Sequence, residues 1–133
     1  MTMWKDSPTT PLCGVATTKI IVDILEKNNV SKAALTLCIG EADIGSLLVE
    51  DKRYPLISFT GSTGVGRIVS EKVSKRFGKT ILELGGNNCL IVCDDANEEL
   101  ALKGSLFAAV GTAGQRCTSL RRLVRKNLKN IKK

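Results

Sequence analysis

The feature that most constrains this chain is the way two periodicities take turns along it. Short apolar runs of strand length (residues 34–39, 56–60, 80–84 and 89–93) alternate with longer segments whose apolar residues recur three and four apart. The spacing predicts a helix from Pro11 to Asn28 carrying Val15, Ile20, Ile21, Ile24 and Leu25, with Asn28-Asn29 as its stop. It predicts a short second helix with Ile44, Leu47 and Leu48 on one side, and a third with Val65, Ile68, Val69, Val73 and Phe77. A fourth runs from Asn97 to about Val110, with Leu100, Leu102, Leu106, Phe107 and Val110 as its apolar members. No internal repeat or low-complexity linker interrupts the pattern. Strands alternating with helices give an α/β chain built from βαβ units on a mostly parallel sheet. Ligands of such sheets bind beyond the carboxyl ends of the strands, and both glycine-rich turns of this sequence follow strands.

The net charge of +7 suggests a nucleic-acid partner only until its distribution is read. Arg121, Arg122, Arg125, Lys126, Lys129, Lys132 and Lys133 supply seven of the 20 basic residues, and the last acidic residue is Glu99. Residues 1–120 are therefore neutral, with 13 side chains of each sign, and no nucleic-acid partner is expected. The longest uncharged runs contain Ser, Thr and Gly and fall short of a membrane span, and Met1–Asp6 lacks the apolar stretch of a secretory signal. Five cysteines, an odd number without such a signal, favour free thiols in an intracellular compartment, cytoplasmic or mitochondrial. Cys89 and Cys93, within an apolar run, read as small buried hydrophobes. With no histidine anywhere, Cys/His zinc sites and histidine-based triads are excluded, and no metal site is expected.

Three segments can carry chemistry. In Phe59-Thr60-Gly61-Ser62-Thr63-Gly64-Val65-Gly66, a glycine-rich turn between strand and helix lets backbone N–H groups approach phosphate oxygens. It matches neither common fingerprint: Val69 stands where the dinucleotide pattern needs Gly or Ala, and Arg67 where the P-loop needs Lys. A tight turn with no ligand is the alternative. In Glu83-Leu84-Gly85-Gly86, a carboxylate ends an otherwise apolar strand. Burial would raise its pKa toward the range of a general base, whereas an exposed strand end would leave it a solvated acid. In Gly114-Gln115-Arg116-Cys117-Thr118, a thiol follows a flexible turn beside a guanidinium, a setting that favours thiolate; an inert cysteine is the alternative.

The order of the three, with 34 residues from Glu83 to Cys117, resembles the aldehyde dehydrogenase superfamily. Trp4-Lys5 followed by Pro8-Thr9-Thr10-Pro11 is similar to that family's cofactor-ribose lysine segment, and the likeness runs from Trp4 to about Leu123. Gly85-Gly86-Asn87-Asn88 and Gly111–Thr118 resemble the antiquitin branch, family 7, the α-aminoadipic semialdehyde dehydrogenases. The resemblance implies a partial aldehyde dehydrogenase fold: residues 1–84 as part of an NAD-binding domain, 85–120 as the start of the catalytic domain, and 121–133 as a basic tail. It further implies that Cys117 attacks the aldehyde as thiolate, that hydride passes to NAD, and that Glu83 activates the water that hydrolyses the thioester. Lys5, Thr60, Gly61, Ser62 and Gly66 would bind NAD, and Arg116 would attract the carboxylate end of the substrate or serve as a salt-bridge partner.

In the family an oxyanion-donating Asn precedes the lysine segment and a ribose-holding Glu follows the cysteine; both would lie outside residues 1–133. The family's homo-oligomer is likewise not expected to form from this stretch alone. The expectation is a fragment without activity of its own. A different class of function rests on the basic tail. On a helix, Leu120, Leu123, Val124, Leu128 and Ile131 share a side opposite the basic residues, as in segments that bind a membrane surface or a partner protein.

Overall fold

The computed structural model describes residues 1–125. In chain order these form β1 (Thr2–Lys5), α1 (Pro11–Lys27), a 3-10 turn (Lys32–Ala34), β2 (Leu35–Cys38), α2 (Ala42–Glu50), β3 (Leu56–Gly61), α3 (Thr63–Ser74), β4 (Lys79–Leu84), β5 (Asn88–Val92), α4 (Glu98–Val110), a second 3-10 turn (Gly111–Gly114) and β6 (Leu120–Arg125). The strands pair two by two, β1 with β2, β3 with β4 and β5 with β6. The first and last pairs are parallel. The Lys79 N–H donates to the Pro55 carbonyl at 2.8 Å, so β3 and β4 also set out side by side and end at one edge. Among the described residues the expected sheet is thus three two-stranded pieces.

The chain divides into two compact units, Met1–Ile57 with Val69–Thr80, and Ser58–Ile68 with the described residues from Ile81 onward. In the first, Val49, Val69 and Val73 are buried. The Lys72 Nζ donates to Ser46 Oγ at 2.6 Å and to Glu50 Oε1 at 2.5 Å, and this ammonium holds the exposed Glu50 carboxyl below its ordinary pKa. Helix α1 stops where the asparagine pair predicts. Asn29 takes φ +57°, and the N–H groups of Asn29 and Val30 return to the carbonyls of Glu26 and Leu25, the hydrogen-bond pattern of a left-handed helix stop.

The same stop ends α3 three residues short of the expected Phe77. The Phe77 and Gly78 N–H groups bond the carbonyls of Ser74 and Val73, and Phe77, at φ +58°, stands 98% exposed. An apolar residue at helical spacing has here been taken by the cap. Glycine usually fills that left-handed position, yet Gly78 comes one residue later.

In the second unit α4 begins where predicted, with Asn97 Oδ1 accepting from the Leu100 N–H at 2.9 Å. Its apolar members Leu100, Leu102, Leu106, Phe107 and Val110 are nevertheless exposed. A larger correction concerns the C-terminal segment. Leu120–Arg125 is a strand, parallel to β5, not the start of an amphipathic helix; Leu128 and Ile131 lie outside the described residues. Arg125 pairs with Glu98, which fastens β6 to the start of α4. Among the described residues no helix is long and apolar enough to cross a membrane, and no group of side chains is placed to hold a metal ion.

Candidate active site

The glycine-rich turn lies at a strand-to-helix junction. Gly61 is the last residue of β3, and Ser62 caps α3: its carbonyl accepts from the Gly66 N–H at 2.9 Å and its Oγ from the Val65 N–H at 3.3 Å. The first turn of a helix leaves its leading N–H groups without intrahelical partners, and here those of Thr63 and Gly64 remain after the cap. Both residues are exposed, and a side chain at Gly64 would meet nothing within 4 Å. Open backbone donors at a helix start suit an anionic phosphate group, so the residues present fit a dinucleotide. Gly66 serves packing instead. It is buried, and a Cβ there would meet the end of the Leu84 side chain, which would have to swing aside, so glycine lets α3 and β4 pack without that shift. Thr60, exposed near the end of β3, flanks the turn. Replacing Ser62 by Ala is expected to cost about 1 kcal/mol, seen as a lower urea midpoint; Ser62→Asp, which can still cap, should leave the midpoint in place.

Glu83 sits one residue before the end of β4, on the exposed side of the strand. Of the two environments its sequence allowed, the structure holds the solvated one. Because β3 and β4 end together, the Ser62 turn and the Gly85-Gly86 turn that follows Glu83 leave the sheet at the same edge.

Cys117 is exposed in a turn with unusual backbone. Thr112, Ala113 and Gly114 take φ of +53°, +54° and +69° in succession. Left-handed conformation is costly for a β-branched residue such as Thr112. At Gly114 a Cβ would come within 3.1 Å of the Ala109 carbonyl oxygen, so this position requires glycine twice over. Past this inversion Ser119, 1% exposed, closes the turn around the thiol. Its Oγ accepts from the Arg116 N–H at 3.0 Å, and its own N–H donates to the Arg116 carbonyl at 3.1 Å. The Arg116 Nε donates to Thr112 Oγ1 at 2.6 Å, and its guanidinium carbon stands 5.7 Å from the Phe107 ring centre, within cation–π range. No carboxylate pairs with Arg116 among the described residues.

Seven of the eight expected site residues, Thr60, Gly61, Ser62, Gly66, Glu83, Arg116 and Cys117, fall in the second unit, and Lys5 falls in the first. Lys5 ends β1, a strand that the periodicity does not signal. Its Nζ donates to the Asp6 carbonyl at 2.8 Å, and its stem passes beside Gly45.

The sequence reading missed what two arginines of the C-terminal segment do. Arg121 Nη2 donates to the Gly114 carbonyl at 3.0 Å and so braces the Cys117 turn, while Arg122 Nη2 donates to the Asn87 carbonyl at 2.9 Å and ties β6 to the turn before β5. These are members of the apparent basic tail, and each is engaged within the chain. The expected burial of Cys89 and Cys93 also fails: both are exposed, as is Cys13, and Cys38 is half-buried. Cys89 and Cys93 lie on the same side of β5 as the exposed Ile91, a side that the described residues leave open.

The aldehyde dehydrogenase family model matches residues 1–128. The chain is 57% identical over 121 residues to aldehyde dehydrogenase family 7 member A1 of Pisum sativum, an overlap covering 91% of this chain and 24% of that protein. It is 54% identical over 121 residues to α-aminoadipic semialdehyde dehydrogenase of Bos taurus, covering 91% and 22%. Among solved structures, betaine aldehyde dehydrogenase of Staphylococcus aureus in complex with NAD⁺ superimposes with a TM-score of 0.80 at 31% identity, over 94% of this chain and 24% of that one. The chain thus spans about a quarter of the length of the curated relatives it matches.

Proposed function

Because the chain belongs to the aldehyde dehydrogenase family, we propose that it carries the nucleophile and general base of an NAD-dependent enzyme that oxidises α-aminoadipic semialdehyde to the carboxylic acid. The observation that most supports this is the exposed Cys117 thiol, presented on a turn that Ser119 closes with two hydrogen bonds. Residues 1–84 belong to the cofactor-binding part and 85–120 open the catalytic part.

The thiolate of Cys117 adds to the aldehyde carbon. NAD, when bound, would supply the acceptor for the hydride on that carbon. Glu83, accessible to water, takes a proton from the molecule that cleaves the resulting thioester, which releases the acid and restores the thiol. Lys5 would bind the adenosine ribose, and Thr60, Gly61, Ser62 and Gly66 would shape the helix start for the dinucleotide. The Arg116 guanidinium, free of any carboxylate among the described residues, attracts the distal carboxylate of the substrate.

The test is thiol reactivity. Limiting iodoacetamide followed by peptide mass spectrometry should label Cys117 ahead of Cys13, Cys89 and Cys93. All four are exposed, so access alone cannot produce that order. Equal labelling of the four, or earlier labelling of Cys13, would overturn the nucleophile assignment.

A further inference from the structure

The nucleophile turn is anchored by a side chain that the chemistry above does not use. Asn88 opens β5, and its Nδ2 donates to the Cys117 carbonyl at 2.6 Å and to the Ser119 carbonyl at 3.1 Å. A carboxamide nitrogen carries two hydrogens, one for each oxygen. The opposite amide orientation would set Oδ1 against two carbonyls, so the contacts themselves fix which way the group faces. The position matters as well. Asn88 pairs with Leu120 and Cys89 with Arg122, so the β5–β6 register shifts between Asn88 and Cys89 and Arg121 is the extra residue. Where the backbone ladder breaks, the Asn88 side chain takes over the link between the two strands and carries it to the residues around the thiol.

We propose that Asn88 is a positioning residue for Cys117: its two donated hydrogen bonds hold the nucleophile turn at one height and orientation on β5. The inference rests on the nucleophile reading of Cys117. Without the donors, two carbonyls of the turn lose their partners, and the segment from Arg116 to Ser119 keeps only its internal closure by Ser119.

The experiment uses the full 133-residue chain, with Asn88→Ala removing the donors without adding charge and Asn88→Gln keeping them on a longer arm. Two quantities are read: hydrogen exchange of the peptide spanning 114–120, and the iodoacetamide rate of Cys117 with Cys13, in the other unit, as internal reference. Asn88→Ala should speed exchange in that peptide about tenfold, equivalent to about 1.4 kcal/mol of lost protection, and bring the Cys117 rate down to that of Cys13. Asn88→Gln should stay near wild type in both. Unchanged exchange and an unchanged Cys117 rate in Asn88→Ala would overturn the proposal. If Asn88→Ala loses its helical dichroism, Asn88→Gln decides: near-wild-type protection supports the role, and loss of protection in a folded Asn88→Gln chain defeats it. A wild-type Cys117 no faster than Cys13 would sink the nucleophile reading, while the exchange comparison would still report on the anchor.

Discussion

With NAD and α-aminoadipic semialdehyde, the purified 133-residue chain is expected to produce NADH no faster than the uncatalysed mixture, and Cys117→Ser is expected to change nothing. The thiol and the carboxylate are both present, but both face open solvent. Acyl transfer depends on donors fixed around the developing oxyanion, and losing one such donor costs roughly 10²–10³ in turnover. The described residues also form no closed chamber around Cys117 that could keep water away from the hydride step. The measurement is NADH absorbance for both proteins side by side. Turnover within about tenfold (1.4 kcal/mol of barrier) of a complete relative, abolished by the substitution, would show that a quarter of the family's length suffices.

The second large effect is self-association. Leu100, Leu102, Leu106 and Phe107 of α4 are 71%, 70%, 62% and 66% exposed, and α1 adds Leu12, Ile20 and Ile24. In a two-stranded sheet each strand has one unpaired edge, and among the described residues all three sheets are two-stranded. Exposed apolar faces beside open strand edges favour association over a dissolved monomer. At micromolar concentration the chain should elute well above its 14.3 kDa on size exclusion with light scattering. The double variant Leu102→Lys, Leu106→Lys should shift it toward the monomer. A monodisperse wild-type monomer would contradict the expectation.

What the sequence made legible and what it hid follow from the range of the interactions. The β3–turn–α3 junction, the asparagine stop of α1 and the Asn97 cap of α4 depend on residues a few positions apart, and all three stand where the pattern puts them. Strand β6 was hidden. Leu120, Leu123 and Val124 satisfy a helical spacing, and what makes them a strand is pairing with β5, about thirty residues away in the chain. Strand β1 is four residues long and ends in a lysine, too short for a period to show. Periodicity marks which residues are apolar but not whether a partner exists to cover them, which is why Cys89, Cys93 and the α4 leucines were expected inside and lie outside. Within the candidate site, Glu83 and Cys117 were legible as chemistry-bearing types. Asn88 and Ser119 were not, because their contribution is to donate to and accept from backbone groups that only the folded turn brings near.

The three described arginines of the tail differ in what they bind, and the difference bears on the medium around the protein. Arg125 meets a carboxylate, an exposed ion pair of the kind dissolved salt screens. Arg121 and Arg122 meet the carbonyl oxygens of Gly114 and Asn87, which carry dipoles and no net charge. Ionic strength therefore reaches this end of the molecule unevenly. It loosens the fastening of β6 to α4 and leaves in place the Arg121 brace of the Cys117 turn and the Arg122 tie to Asn87, so the geometry around Cys117 is insulated from the saline composition of its surroundings.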